Sequence, residues 1–220
     1  MRESAIALLL LSGVSTALHG QAATPARLEG RVTPAVAEAV RAIADSVART
    51  GLPVGPLYRK ALEGGAKGVP ADRIIAAVGT VASQLAQAAK ALRSEPVAHD
   101  TDAIEAGGYA INAGLSAGQV ADLARGNRPP QAVAASLRSA GTLAALGVPP
   151  AQAVALVHQW IAAGRSPDQV LLLPQQLQAA MARGASPAQA ANGIAHGGQP
   201  GASGDHPEPP SHAQDRSHRP

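Results

Sequence analysis

The sequence contains no cysteine and no phenylalanine, and aromatic residues make up only 1% of its 220 residues. The lack of cysteine excludes disulfide scaffolds, cysteine-based zinc sites and thiol catalysis. The aromatic side chains are those of Tyr58, Tyr109 and Trp160. Platforms on which nucleic-acid bases could stack are therefore scarce.

The chain also lacks a strong excess of charge. Its 18 Lys and Arg residues face 15 Asp and Glu residues, so the formal net charge is +3. Beyond Arg2, the arginines are scattered from Arg27 to Arg219 without a basic run. Nucleic-acid binding normally shows a basic stripe or patch, so we expect no nucleic-acid partner.

Residues 1–22 have the composition of a secretory signal peptide. Arg2 precedes an apolar run from Ala5 to Val14, and small residues follow up to Ala22. A charged start, an apolar stretch of about 7–15 residues and a small-residue cleavage site are typical of such signals. We expect cleavage after Ala22, or as a second choice after Ala17, and export to the periplasm or the medium. An N-terminal membrane anchor is the alternative, but a spanning helix needs about 20 apolar residues, and no later run reaches that length either.

Residues 197–220 have the opposite composition. None of them is Val, Ile, Leu, Met or aromatic, whereas five are Pro and four are Gly. Such a segment cannot bury enough apolar area to offset the entropy of ordering, so we predict a disordered tail. Its histidines, His206, His212 and His218, recur every six residues. Histidine-containing tracts can bind metal weakly, but we favour a solvated tail without metal.

A short pattern recurs between these ends: a glycine, then Ser or Pro two residues later, and often Gln five residues later. Clear copies begin at Gly114, Gly147, Gly164 and Gly184, and looser copies at Gly51 and Gly68. A glycine just past a helix takes the left-handed conformation that ends it. Ser or Pro then starts the next helix, and Gln three residues after Ser completes a capping box. The pattern predicts sharp turns between helices.

Between these turns the apolar residues recur every three or four positions. One such series predicts a helix that contains Val36, Val40, Ile43 and Val47. Another, from Ile74 to Leu92, predicts a helix of about 23 residues. The opposite face of the first helix carries Glu38, Arg41, Asp45 and Arg49, which are spaced for ion pairs along the helix. No stretch alternates with the period of a strand.

These patterns predict an all-α fold. We expect a flexible segment over residues 23–30 and one helical domain over residues 31–196. The domain should be an array of short helical hairpins, since 37 residues separate Gly147 from Gly184 and 37 separate Arg31 from Gly68. On this interpretation the inner turns of the two hairpins lie at Gly51 and Gly164.

The most distinctive segment is Lys60-Ala-Leu-Glu-Gly-Gly-Ala-Lys-Gly-Val-Pro70. Glu63 is spaced to pair with Lys60 and Lys67 on one helix face. Gly64 and Gly65 would let another helix approach closely. The segment resembles a Lys-Ala-x-Glu-Gly-x-x-Lys-Gly-x-Pro motif of exported, all-helical bacterial proteins with no known activity. The resemblance implies export and a helical fold, and it implies no chemistry.

One motif could indicate a hydrolase. Gly114-Leu-Ser-Ala-Gly118 matches the nucleophile elbow Gly-x-Ser-x-Gly, and His158 with Asp122 or Asp168 could complete a triad. The elbow requires a buried strand before the serine, whereas the preceding segment has a helical pattern. We therefore predict that Ser116 is an N-cap. His158 lies in a mostly apolar helix, which favours a packed or boundary histidine over a ligand.

The segment from His99 to Glu105 gathers oxygen and nitrogen atoms that could bind metal. It lacks the twelve-residue loop of a calcium site, so we predict instead that Asp102 and Glu105 form a capping box. The sequence thus assigns no catalytic, cofactor-binding or metal-ligating residue. We expect an exported, non-enzymatic domain with a structural role in the cell envelope or with an unknown protein or peptide partner. The alternative is an envelope-polymer hydrolase whose site is assembled from scattered residues.

Overall fold

The computed structural model describes residues 28–197. In that range it contains ten α-helices and no strand, which confirms the all-α prediction. The helices are α1 (Pro34–Ala48), α2 (Gly55–Ala66), α3 (Ala71–Leu92), α4 (Thr101–Asn112), α5 (Ala117–Ala124), α6 (Pro130–Ala145), α7 (Pro150–Ala162), α8 (Pro167–Leu171), α9 (Leu173–Ala182) and α10 (Pro187–Ala195). The predicted signal peptide and the predicted tail beyond Gly197 lie outside the described residues.

The predicted turn glycines all end helices as expected. Each has a positive φ, namely Gly51 (74°), Gly68 (63°), Gly114 (104°), Gly147 (95°), Gly164 (72°) and Gly184 (99°). Ser116, Ser166 and Ser186 each accept a hydrogen bond from the backbone N–H of the Gln three residues later. Each Gln side chain accepts one from the backbone N–H of its serine in return. These three capping boxes confirm the local prediction.

The copy at Gly147 departs from this pattern. Pro149 is the N-cap of α7 and has no side-chain hydrogen bond to offer. The Gln152 side chain therefore takes no part in a capping box. Its Nε2 donates instead to the carbonyl oxygen of Ala188 (2.9 Å) and to Oδ1 of Asn192 (2.7 Å). Gln152 thus joins α7 to α10 instead of completing a cap.

Helices α3, α4 and α6 form the centre of the domain, with α4 packed between α3 and α6. Helices α1 and α2 pack on α3 at one end. At the other end α7, α8 and α9 pack on α6, and α10 packs on α7 and α9. The core is built from Leu, Val, Ile and Ala, and Tyr58 is the one aromatic residue buried in it within residues 28–197. Because buried alanines occupy little volume, the helices approach one another closely.

The hairpins pair differently from the prediction. Helix α2 packs more extensively on α3, across Gly68, than on α1, across Gly51. Helices α7 and α8, which flank Gly164, touch only slightly, because α8 packs on α6. A buried hydrogen bond fixes α8 there, since Oγ of Ser139 donates to the carbonyl oxygen of Val170 (2.7 Å). The inner turns therefore lie at Gly68, Gly147 and Gly184.

The start of the domain also differs from expectation. Leu28 belongs to the segment predicted as flexible, yet it is fully buried, and its carbonyl oxygen accepts hydrogen bonds from the amides of Arg31 and Val32. The predicted ladder of ion pairs on α1 does not form among the described residues. Arg41 pairs instead with Glu29 at 3.6 Å, because the preceding turn brings that carboxylate alongside the helix.

A common spacing in sequence joins α4 to α6, α5 to α7 and α7 to α10. Polar contacts join residues 36 positions apart in four places: Asp102 with Arg138, Asp122 with His158, Gln152 with Ala188, and Gln159 with Ala195. The turns also stack, since a β-carbon at Gly147 would lie 3.3 Å from Cγ of Pro187. The array therefore repeats in space, although its helices differ in length.

Candidate functional site

A cleft of about 570 Å³ runs along α4 and is lined by residues of α2, α3, α4 and α6. Asp102, Glu105, Tyr109 and Asn112 lie three or four residues apart on α4, so they share one face of that helix. At 1.5 Å per residue, this stripe is about 15 Å long. Its members differ in chemistry, with carboxylates near the start of α4, an aromatic ring in the middle and an amide at the end.

Two ion pairs form the charged end of the cleft. Nη2 of Arg138 on α6 lies 2.5 Å from Oδ1 of Asp102. Nη2 of Arg59 on α2 lies 2.6 Å from Oε2 of Glu105. The two arginines therefore reach the same turn of α4 from different helices, and both guanidinium groups stay partly exposed to solvent.

The side chain of Tyr109, one of three aromatic residues in the chain, lies in the middle of the cleft, and the residue is 41% exposed. Its hydroxyl lies 3.3 Å from Oγ1 of Thr142, which itself donates to the carbonyl oxygen of Arg138. The Tyr109 hydroxyl is therefore the donor of the pair, and its own lone pairs remain free. Leu85 and Val81 of α3 supply apolar surface beside the ring.

Glycines set the spacing around this ring. A β-carbon at Gly108 would lie 3.1 Å from Cδ2 of Leu85, so α4 approaches α3 closely on that side. A β-carbon at Gly141 would lie 3.0 Å from the Tyr109 ring atoms Cδ1 and Cε1. The ring thus rests against bare backbone of α6, which fixes one of its faces and leaves the rest open to the cleft.

An amide pair forms the far end. Nε2 of Gln84 on α3 donates to Oδ1 of Asn112 on α4 at 3.1 Å. This bond uses one donor of Gln84 and one acceptor of Asn112. Oε1 of Gln84 and Nδ2 of Asn112 therefore stay available, one as an acceptor and the other as a donor.

The edge of the cleft on α2 carries the distinctive Lys-Ala-Leu-Glu-Gly-Gly segment. As predicted, Glu63 pairs with Lys60 (3.1 Å) and with Lys67 (2.5 Å). The hydrogen bonds and charges of Lys67 and Lys60 hold the pKa of Glu63 below its ordinary value. Gly64 allows the close approach of Ile74 from α3, as the sequence indicated, whereas Gly65 faces the backbone of Arg31 in a turn and not a helix.

The residues of the Gly-x-Ser-x-Gly motif are only partly brought together. Ser116 is preceded by α4 and a turn, and its hydroxyl accepts from the Gln119 amide at 3.2 Å, as an N-cap should. His158 does meet Asp122, with Nε2 of the ring 2.9 Å from Oδ2 of the carboxylate. The other oxygen of Asp122 binds Nη1 of Arg125 at 2.9 Å. This cluster joins α5 to α7, so His158 is a boundary residue with a specific partner.

The predicted capping box of Asp102 and Glu105 is wrong. Asp100 is the N-cap of α4, and its Oδ1 accepts from the amide of Ala103 at 2.8 Å. Asp102 and Glu105 do not cap the helix, and they form ion pairs with Arg138 and Arg59 instead. Within residues 28–197, no group of three or more His, Cys, Asp or Glu side chains is placed to hold a metal ion.

The cleft residues Arg59, Gln84, Tyr109, Asn112 and Arg138 were not singled out from the sequence. A partial signal exists on α4, because polar residues at 102, 105, 109 and 112 form one stripe on a helix whose other positions are mostly small. Nothing in the sequence pairs that stripe with Arg59 or Arg138, since those contacts depend on how the helices pack.

Comparison with protein-family models, curated proteins and solved structures yields no match to this chain. No helix in the described range is both long and apolar enough to cross a bilayer. The arguments about function therefore rest on the geometry of the cleft.

Proposed function

We propose that this chain is an exported, non-enzymatic helical domain that binds an extended peptide segment of a partner in the cleft along α4. The proposal of export rests on the composition of residues 1–22 and on the resemblance of the segment around Glu63. The proposal of peptide binding rests on the cleft.

The amide pair of Gln84 and Asn112 is the observation that carries peptide binding. A peptide unit presents one N–H donor and one C=O acceptor. The free Oε1 of Gln84 and Nδ2 of Asn112 offer the complementary acceptor and donor at one place on the cleft wall. Because the pair binds the N–H and C=O groups of the peptide backbone, it supplies affinity for an extended chain of any sequence.

The dimensions and lining of the cleft suit such a ligand. An extended chain advances about 3.3 Å per residue, so about four to five residues span the roughly 15 Å stripe on α4. Tyr109 offers an aromatic face against which a side chain can pack, and aromatic residues are enriched at sites of recognition. The cleft is partly open to solvent, so a segment of a longer partner can enter it.

The state of the carboxylates disfavours the alternative of an envelope-polymer hydrolase. Glycoside hydrolysis needs one carboxylic acid whose pKa is raised so that it can donate a proton. Lys67 and Lys60 lower the pKa of Glu63, which keeps that carboxylate ionised. Glu105 is held by the Arg59 guanidinium. The pairing of Glu63 therefore does not prepare it as a proton donor.

Peptide selection tests this proposal. A random heptapeptide display library would be panned against the full chain, and selected peptides would be synthesised for titration calorimetry. Tyr109→Ala and Asn112→Ala should each weaken binding by about tenfold or more, as expected for the loss of about 1.4 kcal/mol. Leu172→Ala is the matched control, because Leu172 is also an exposed large side chain but lies outside the cleft.

Failure would take a clear form. If no selected peptide loses affinity when Tyr109 or Asn112 is truncated, the cleft is not the binding site. If the full chain hydrolyses envelope polymers and Glu63→Gln or Glu105→Gln abolishes that activity, the alternative function replaces this one.

A further inference from the structure

We propose that an acidic, proline-containing segment of this chain, residues 205–210, docks into a second groove beside the end of α10. That groove has a volume of about 410 Å³ and is formed by α7, the turn after it, α8, α9 and the end of α10. We call it the Trp160 groove, after the indole in its wall. It shares no lining residue with the cleft along α4, so this inference is independent of the proposed peptide binding there.

The Trp160 groove holds a cation that has no acidic partner. Within residues 28–197, Arg165 is the one charged side chain in the lining. Its guanidinium carbon lies 5.5 Å from the centroid of the Trp160 ring, a distance typical of a cation–π contact. No ion pair among the described residues involves Arg165, and the neighbouring acid Asp168 does not line the groove. The groove therefore keeps one positive charge that an acidic occupant can neutralise.

The side chains that line the groove also leave hydrogen-bond donors unused. The indole of Trp160 is a donor only, and the guanidinium of Arg165 carries five N–H groups. Oε1 of Gln169 accepts from the backbone N–H of Ser166 at 3.0 Å in the capping box, which leaves the Nε2 donors of Gln169. In the part of the chain that the structure describes, none of these donors has an acceptor. A segment rich in acceptors therefore suits the groove.

Residues 205–210 have this chemistry. They read Asp-His-Pro-Glu-Pro-Pro, and they lie outside the described range, so we identify them by sequence. Asp205 and Glu208 supply carboxylates for Arg165. The three prolines lack a backbone N–H, so the segment offers more backbone acceptors than donors. Proline-rich segments also dock on aromatic-lined grooves, since their rings pack against aromatic faces.

The course of the chain brings the segment to the groove. Gly197, the last described residue, is itself part of the groove wall. Nε2 of Gln159 holds the end of α10 in place by donating to the carbonyl oxygen of Ala195 at 2.5 Å. Residues 198–204 read Gly-Gln-Pro-Gly-Ala-Ser-Gly, a composition typical of turns. The chain from Gly197 to Asp205 can span about 26 Å, so residues 205–210 can turn back onto the groove.

A weak contact is sufficient, because the segment is tethered. A short flexible linker gives an effective concentration of about 1 mM. A contact with a dissociation constant of about 0.5 mM would then keep the groove occupied for about two-thirds of the time. The segment has no aliphatic side chain of its own, but Trp160 and the 49% exposed Leu172 supply apolar surface on the groove side. Docking therefore requires no independent fold of residues 197–220.

The fluorescence of Trp160 tests the proposal, because it is the single tryptophan of the chain. Acrylamide quenching would be measured on the full chain at low salt. Two variants disrupt the segment: Asp205→Asn combined with Glu208→Gln, and serine at positions 207, 209 and 210 together. Each should raise the quenching constant about twofold, since the indole loses its cover for most of the time. Asp215→Asn is the matched control, because Asp215 is an acid of the same tail outside the segment.

A peptide added in trans measures the occupancy of the groove. A fluorescein-labelled peptide of residues 203–212 should bind the Asp205→Asn, Glu208→Gln chain about threefold more tightly than the wild type, whose groove is free for about one-third of the time. Combining Arg165→Gln with those two substitutions should weaken peptide binding severalfold. Circular dichroism would verify that each variant is folded.

Three results would overturn the inference. Equal quenching of Trp160 in the wild type and in both segment variants would mean that residues 205–210 do not cover the groove. An equal change in Asp215→Asn would indicate a general effect of charge in place of docking. If the quenching of the wild type rises about twofold when the protein is diluted a hundredfold, the segment occupies the groove of a second copy and not its own.

Discussion

Replacing Gly65 by alanine should destabilise the protein, although alanine is the better helix former. Gly65 lies in the last turn of α2, where the chain before α1 crosses the helix. A β-carbon there would press against the carbonyl oxygen of Arg31, well inside van der Waals contact, and would lie 2.7 Å from Cγ1 of Val32. The carbonyl belongs to the backbone, so it cannot rotate away as the end of a side chain would. The turn that carries Leu28 into the core would have to move.

The magnitude follows from two opposing contributions. Inserting a methyl group into a tightly packed contact costs about 1–3 kcal/mol. Alanine gains up to about 1 kcal/mol over glycine within a helix, and less near its end. We therefore expect Gly65→Ala to lose about 1–2 kcal/mol. Gly79→Ala is the matched control, because Gly79 lies inside α3 and the added β-carbon would meet no atom within 4 Å outside the backbone of its own helix. That variant should gain about 0.5–1 kcal/mol.

Urea denaturation followed by far-ultraviolet circular dichroism measures both changes. The midpoint should fall for Gly65→Ala and rise for Gly79→Ala, with unchanged slopes. A Gly65→Ala variant that is as stable as the wild type would refute the close crossing of the Arg31 backbone. If both variants lose stability equally, the reasoning from β-carbon contacts is wrong for this fold.

Two further substitutions test the cap and the charge cluster. Ser116→Ala should cost about 0.5–2 kcal/mol in the same denaturation assay, whereas Ser116→Asp should retain most of the stability, because Asp also accepts the amide hydrogen bond; labelling of Ser116 by a fluorophosphonate probe would instead indicate a nucleophile. Glu63 has a lowered pKa in the folded state, so its contribution to stability is present above its ordinary pKa and is lost as the pH falls through the folded value. In the Glu63→Gln variant, the free energy of unfolding should therefore fall less steeply than in the wild type as the pH drops below about 4.5. An identical pH dependence in wild type and variant would contradict the pairing of Glu63 with Lys60 and Lys67.

The turns and caps could be predicted from the sequence because their physics is local. A glycine with positive φ, a serine and a glutamine lie within six residues of one another, so the sequence contains every atom of the motif. Ser116, Ser166 and Ser186 accordingly behave as predicted. The same holds for Glu63, whose partners are three and four residues away on one helix.

The pairing of the helices could not be predicted in this way. The spacing of 37 residues suggested hairpins closed at Gly51 and Gly164, but the spacing is equally consistent with hairpins closed at Gly68 and Gly147. The choice depends on contacts between distant residues, such as the buried bond from Ser139 to Val170, which holds α8 on α6. The cleft could not be predicted for the same reason. Arg59 and Arg138 contact α4 only because the tertiary packing brings α2 and α6 close to it.

The prediction for Asp102 and Glu105 failed for an instructive reason. Asp100 and Asp102 both precede a helical pattern, and either could have been the cap by residue type. Once Asp100 takes that role, α4 begins two residues earlier relative to its carboxylates. Asp102 and Glu105 then sit on the outer face of the helix, where each holds an arginine from another helix. A shift of two residues in a helix start thus decides whether these groups serve the backbone or the cleft.

The cleft arises where the regular part of the array meets the irregular part. Contacts between residues 36 positions apart join α4 to α6, α5 to α7 and α7 to α10, and the pair of Asp102 with Arg138 is the first of that series. Helices α2 and α3 make no polar contact of this spacing among the described residues. Helix α4 has a close neighbour on each side, α3 and α6, but no helix of the described range covers its polar stripe. Gly108 and Gly141 let α3 and α6 approach without covering Tyr109. The same small residues that bring the helices together therefore leave the stripe of charge, aromatic ring and amide open to a ligand.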